Sequence, residues 1–163
     1  VDPHPRVDPH PRVDPHPRVD PHPRVDPTAL TTPKRIVLIE DDDDSRAAMQ
    51  AALEADGYLV NASADAFGDI RRARPDLVIL DLFIHGETAG WQQLDILTMD
   101  PATRGIPVIL CSAAIASLEH ARPKIAALDV RVLQKPFELS ELEATVEDAL
   151  ASAPRSPEVL RPG

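Results

Sequence analysis

The hydrophobic pattern of the chain changes near Lys34. From there onward, short runs of consecutive apolar residues alternate with longer segments in which apolar residues recur every three or four positions. The short runs, such as DLVILDL at Asp76–Leu82, are typical of strands buried on both faces, and the longer segments are typical of helices. Gly57 is expected to end the first helix, and Pro75 closes off the second.

This pattern predicts five strands that alternate with five helices. In chain order the predicted elements are strand Lys34–Ile39, helix Asp44–Asp56, strand Tyr58–Ala62, helix Ala64–Ala73, strand Asp76–Leu82, helix Gly90–Met99, strand Pro107–Ala113, a helix between Ile115 and Leu128, strand Val130–Leu133 and helix Leu139–Ala151. Strands that are apolar throughout indicate a parallel sheet covered on both faces, with its ligand site beyond the carboxyl ends of the strands. Pro123 is expected to start, kink or shorten the fourth helix.

A hexapeptide repeat precedes this pattern. VDPHPR occurs four times in tandem from Val1 to Arg24. Frequent proline excludes both helix and sheet, so we expect residues 1–33 to form a disordered, extended arm, residues 34–151 to form the domain and residues 152–163 to form a disordered tail. Four histidines lie in the arm: His4, His10, His16 and His22. They would bind zinc or nickel only weakly, and a leader without a ligand is the simpler interpretation.

Composition narrows the function classes. The net charge of -10 argues against a general nucleic-acid binder, which needs clustered Lys and Arg. No apolar stretch approaches the roughly 20 residues that span a bilayer, and the N-terminus lacks the features of a signal peptide, so a soluble cytoplasmic protein is expected. The lone cysteine, Cys111, lies in an apolar run and is expected to be a buried hydrophobe.

Polar residues follow the predicted strands. Glu40 to Asp44 follow the first strand, Asp81 ends the third, Ser112 ends the fourth and Lys135 follows the fifth. Crowded carboxylates repel one another unless a cation joins them, and magnesium is a hard cation that suits oxygen ligands. Lys135 and Ser112 would add a positive charge and a hydrogen-bond donor for phosphoryl oxygens. The set suits formation of an aspartyl-phosphate.

Four motifs carry a family resemblance. IVLIEDD, PDLVILDL, IPVILCSA and LQKPF, in this order, resemble the receiver domains of two-component signalling, over roughly Lys34 to Ala151. The resemblance implies an α/β, flavodoxin-like (βα)5 three-layer sandwich with a five-stranded parallel sheet of order 2-1-3-4-5. It also implies a response regulator that accepts a phosphoryl group from a histidine kinase or phosphotransfer protein and signals to a downstream protein. Apart from self-phosphorylation and self-dephosphorylation, such a domain is not an enzyme.

Carried over by position, the resemblance implies roles for individual residues. They are the phosphoacceptor Asp81, the magnesium ligands Glu40, Asp41, Asp81 and the backbone carbonyl of Phe83, the switch hydroxyl of Ser112, and Lys135 of the KPF motif. Asp42 is the alternative member of the acidic pair, and Arg46 supports the chosen register because the family often has arginine there. Asp43 and Asp44 are expected to cap the first helix.

The chain also departs from the family pattern. His85 stands where the family usually has proline, in a loop one residue longer, and Val132 stands where it usually has an aromatic switch residue. The second helix is about a turn short. Phe83 and Ala114 offer no polar group to an attacking water, so we expect slow self-dephosphorylation.

Three functions remain open from the sequence. The first is a stand-alone response regulator, because the tail after the domain is too short to fold as an output domain. The second is a pseudo-receiver that acts as a constitutive interaction module, which Val132 and the altered loop favour. The third is an arm-driven metal-binding protein, which rests only on the repeat histidines.

Overall fold

The computed structural model describes residues 32–64, 70–84, 89–128 and 130–153. The hexapeptide repeats, the tail from residue 154 and His85 lie outside these residues. The expectations for the arm, for most of the tail and for His85 therefore stay predictions.

Five strands and five helices alternate along the described chain, as the pattern predicts. They are β1 Arg35–Ile39, α1 Asp43–Ala55, β2 Leu59–Ser63, α2 Ile70–Ala73, β3 Leu77–Asp81, α3 Ala89–Met99, β4 Val108–Ser112, α4 Ile115–Ala127, β5 Val130–Gln134 and α5 Leu139–Ser152. Most observed bounds lie within one or two residues of the predicted ones. The start of α2 cannot be compared, because residues 65–69 precede it and are not described.

The strands form one parallel sheet of order β2-β1-β3-β4-β5, which confirms the flavodoxin-like fold. In the register of the sheet, Asp81 on β3 is paired with Cys111 on β4, and Ser112 is paired with Gln134 on β5. The ends of β1, β3, β4 and β5 therefore meet at one edge. That edge carries the predicted site.

Side chains along each strand point alternately to the two faces of the sheet, so each face has its own hydrophobic cluster. On β3, Leu77 and Ile79 pack with α1 and α5, whereas Val78 and Leu80 pack with α3 and the half-buried residues of α4. Every residue of β3 is buried, because side chains that point to opposite faces both meet helices.

The first helix begins differently from the prediction. Asp42 is the N-cap of α1, and its carboxylate Oδ1 accepts a hydrogen bond of 2.7 Å from the Ser45 N–H. Asp43 and Asp44 lie in the first turn, so the expectation that they cap the helix was wrong. A cap needs an extended backbone, which Asp42 has and residues inside the helix lack. Asp42, the alternative member of the acidic pair, thus uses its carboxylate to cap α1.

Pro123 lies inside α4, which neither begins nor ends there. Proline has no backbone N–H, so α4 lacks one helical hydrogen bond at this position, and Pro123 lies on its exposed side. Among the described residues, no helix combines the length and apolar character that crossing a membrane requires.

Candidate functional site

Asp81 is a buried carboxylate at the carboxyl end of the central strand, and it is 5% exposed. Its Oδ1 accepts a hydrogen bond of 2.9 Å from the Phe83 N–H, and its Oδ2 lies 3.0 Å from Lys135 Nζ. Burying a charge is costly unless it is paired and hydrogen-bonded, and both conditions are met here.

Glu40 is the second buried carboxylate, and it is 1% exposed. Its backbone N–H donates to Ser63 O at 3.1 Å, which ties the end of β1 to β2. Oε2 lies 2.5 Å from Lys135 Nζ, and Oε1 accepts a bond of 3.2 Å from the Asp42 N–H. Burial raises the pKa of the Glu40 carboxyl, and the hydrogen bond with Lys135 only partly offsets this effect.

Lys135 joins these two carboxylates. Its backbone N–H donates to Ser112 O at 2.8 Å, so the residue leaves β5 directly beside the end of β4. Burial by itself would lower the pKa of the Lys135 ammonium, but its hydrogen bonds with Glu40 and Asp81 outweigh burial and raise it. Lys135 is therefore a fixed positive charge next to Asp81, available to stabilise negative charge that develops there.

Three carboxylates have the arrangement of a cation site. One oxygen each from Glu40, Asp41 and Asp81 lies within 4.8 Å of the others. Carboxylate oxygens are the hard ligands that magnesium and calcium prefer, so this donor set fits a hard divalent cation. The structure thus brings together the three side chains that were predicted as magnesium ligands. Phe83 follows two residues after Asp81, and the role of its carbonyl stays a prediction.

Ser112 ends β4 and is fully buried. Its Oγ accepts a hydrogen bond of 3.0 Å from the Ala114 N–H. Val132, at the position of the missing aromatic residue, is 39% exposed on the edge strand β5. A valine has no aromatic ring to couple with Ser112, so the coupled serine–aromatic rearrangement of the family has no equivalent partner at this position.

Sequence reasoning missed the part that Gly90 plays in this site. A Cβ at residue 90 would lie 2.3 Å from Asp81 O and 2.6 Å from Leu82 Cα. Only glycine therefore lets the start of α3 lie against the backbone that carries Asp81. The sequence offered one signal, a glycine at the predicted start of a helix. The contacts of Arg46 with the acidic loop were also missed and are described below.

Comparisons with known proteins agree with this geometry. The sequence model of the response regulator receiver domain family matches residues 36–147 of this chain. Transcriptional regulatory protein CseB of Streptomyces avermitilis is 33% identical, over 74% of this chain and 53% of that protein. DNA-binding response regulator MtrA of Mycolicibacterium smegmatis is 29% identical, over 74% of this chain and 53% of that protein. The chain spans about half the length of these relatives.

A solved structure extends the likeness to three dimensions. The receiver domain of a sensor histidine kinase from Pseudomonas aeruginosa, with a magnesium ion coordinated in its active-site cleft, has a TM-score of 0.63 and 25% identity to this chain. The match covers 74% of this chain and 99% of that domain. The order of the strands, the position of the acidic cluster at their carboxyl ends and the family match all agree. The chain belongs to the response regulator receiver domain family of two-component signalling.

Proposed function

We propose that Asp81 accepts a phosphoryl group from a histidine kinase or phosphotransfer protein in a magnesium-dependent reaction. The observation that carries this proposal is a buried carboxylate at the end of the central strand, paired with Lys135 and beside Glu40. In the reaction, an Asp81 oxygen forms a bond to phosphorus while the phosphorus–nitrogen bond of the donor phosphohistidine breaks. The imidazole leaves with the bonding electron pair and takes up a proton, and Asp81 becomes an acyl phosphate.

Residues of this chain would prepare the site for that transfer. The Phe83 N–H orients the Asp81 carboxylate, and the Lys135 ammonium is close enough to stabilise added negative charge. Magnesium held by Glu40, Asp41, Asp81 and the Phe83 carbonyl would screen the repulsion between the carboxylates and the phosphoryl oxygens. Ser112, whose hydroxyl lies at the end of β4, would donate to the phosphorylated site after a local rearrangement.

We further infer that the phosphorylated domain acts through contacts with a downstream protein. The names of its relatives describe a transcriptional regulator and a DNA-binding regulator, each about twice as long as the matched region. The net charge of this chain, -10, supports a domain that does not itself contact DNA. A pseudo-receiver that binds a partner constitutively is the second candidate, and the observation that favours it is Val132, which stands where the family usually has an aromatic switch residue.

The test is phosphorylation of the purified full chain by phosphoramidate, with magnesium or with EDTA, read by intact mass. Asp81→Asn removes the acceptor. Asp148→Asn is the matched control, because Asp148 lies on the surface of α5, where its carboxylate pairs with Arg131 of β5. We expect a magnesium-dependent adduct of one phosphoryl group in the wild type and in Asp148→Asn, and none in Asp81→Asn. An adduct that persists in a folded Asp81→Asn protein would refute the assignment of the acceptor. A folded wild-type protein that binds magnesium but takes no phosphoryl group, even from a cognate kinase, would favour the pseudo-receiver.

A further inference from the structure

We propose that Arg46 is a positioning residue that holds the acidic loop, residues 40–42 between β1 and α1, in the shape that brings the Glu40 and Asp41 carboxylates to Asp81. The proposal deepens the function proposed for this site and rests on it only for the phosphoryl transfer. Arg46 touches neither Asp81 nor a reacting atom in the described structure, so its effect passes through the loop.

The contacts of Arg46 are directed at the backbone of the loop. Its Nη1 donates to the Glu40 carbonyl at 2.8 Å and, with longer geometry, to the Asp41 carbonyl at 3.4 Å. Nη2 pairs with the Asp43 carboxylate, and the side chain is only 22% exposed. A guanidinium with several donors in a fixed plane can serve these acceptors together, which a lysine ammonium on a flexible stem does less well.

The loop needs such a support because it lies outside strand and helix. Its first residue is anchored through the Glu40 N–H to Ser63 O, and its last residue is anchored as the N-cap of α1. Arg46 reaches from the first turn of α1 back to the carbonyls between these two anchors. Arg46 is therefore placed to support the path of the chain through Asp41, and with it the direction of the Asp41 carboxylate, together with the bond from the Asp42 N–H to Glu40 Oε1.

If Arg46 acted only through its charge, its removal would change the affinity of the site for a divalent cation in the opposite direction. Glu40 to Asp44 are five consecutive acids, and Arg46 adds a positive charge next to them. If charge were its only role, removing it would make the site more negative and would tighten the binding of a divalent cation. If positioning is its role, removing it lets the ligands move apart and weakens that binding.

The experiment compares three variants of the full chain. Arg46→Met keeps the length of the side chain without donors, and Arg46→Lys keeps the charge without the planar fork. Arg131→Met is the matched control, because Arg131 is 20% exposed and pairs with Asp148, away from the acidic loop. Magnesium affinity is measured by calorimetry without a phosphodonor. The rate of phosphorylation by phosphoramidate is then measured against magnesium concentration.

We expect Arg46→Met to raise the magnesium dissociation constant by about tenfold or more, the range typical of groups that orient metal ligands. Arg46→Lys should fall between Arg46→Met and the wild type, and Arg131→Met should match the wild type. At saturating magnesium, the phosphorylation rate of Arg46→Met should return to within about twofold of the wild type, because the groups at Asp81 are intact. This split between magnesium requirement and maximal rate would not arise from a general loss of folding.

Three results would overturn the proposal. They are tighter or unchanged magnesium binding in Arg46→Met, wild-type affinity in Arg46→Lys, and wild-type protein without measurable magnesium binding. Thermal unfolding followed by circular dichroism establishes that each variant is folded, and Arg46→Gln replaces Arg46→Met if the latter is not. A wild type that binds magnesium but accepts no phosphoryl group, from phosphoramidate or from a cognate kinase, would refute the proposed function. The calorimetric comparison would still decide the role of Arg46.

Discussion

Replacement of Lys135 by methionine should destabilise the metal-free protein, because it leaves two buried carboxylates without their counter-ion. Lys135 Nζ lies 2.5 Å from Glu40 Oε2 and 3.0 Å from Asp81 Oδ2, and the side chains of these acids are 1% and 7% exposed. Removing one partner of a buried ion pair typically costs about 3–5 kcal/mol. Lys135 is itself 23% exposed, and the N–H groups of Asp42 and Phe83 still serve the two acids, so we expect a loss of about 2–3 kcal/mol.

The assay is urea denaturation in EDTA, followed by circular dichroism. With a slope of about 1.5 kcal/mol per molar urea, typical for a small domain, the midpoint should fall by about 1.3–2 M. Lys34→Met is the matched control, because Lys34 also pairs with an aspartate, Asp76, but is 57% exposed. A surface pair of this kind contributes about 0–1 kcal/mol. Glu40→Gln in the Lys135→Met background should recover part of the loss, because it removes one of the stranded charges.

The loss should also depend on pH. Burial holds the pKa of Glu40 above its usual value, and removing Lys135 removes the hydrogen bond that lowers this pKa. The folded variant therefore binds a proton more readily than the unfolded chain, so its stability rises as pH falls through the folded pKa of Glu40. The difference from the wild type should be smaller at pH 5 than at pH 8. An unchanged or higher midpoint for Lys135→Met at pH 8 would refute the reasoning, since it would mean that desolvation costs as much as the pairing contributes.

Three further predictions test other parts of the site. Gly90→Ala should lower the free energy of unfolding by about 1–3 kcal/mol through overpacking, because the added Cβ would lie 2.3 Å from Asp81 O. Gly105→Ala is the control, since a Cβ there meets nothing within 4 Å, and an equal loss in both variants on thermal unfolding would contradict the prediction. Burial raises the pKa of the Cys111 thiol to about 12, so a thiol reagent at pH 8 should label the folded protein no faster than it unfolds, and rapid labelling would contradict this. Phe83→Asn should shorten the lifetime of the phosphorylated protein after the phosphodonor is removed, because an amide can position water where Phe83 cannot; an unchanged lifetime would count against a role for this position.

The site was predictable from the sequence because its residues follow recognisable strands. Asp81 ends an apolar run, and Glu40, Ser112 and Lys135 each stand at or just after another such run. The structure places all four at one edge of the sheet, with Lys135 bonded to both acids. The capping of α1 could not be predicted to the residue, because any of the four adjacent aspartates, Asp41 to Asp44, has the right side chain and only the backbone conformation selects Asp42.

The sequence by itself determined the alternation of strands and helices, because apolar periodicity is a local property that each element carries in its own residues. It also marked Asp81, because a carboxylate at the end of a fully apolar strand requires a partner. Only the tertiary structure decided that this partner is Lys135, 54 residues away, and that the same ammonium reaches Glu40 across 95 residues. It likewise decided that α3 lies close enough to β3 to exclude any side chain at Gly90. These distances follow from the order and register of the strands, which depend on how the whole chain packs.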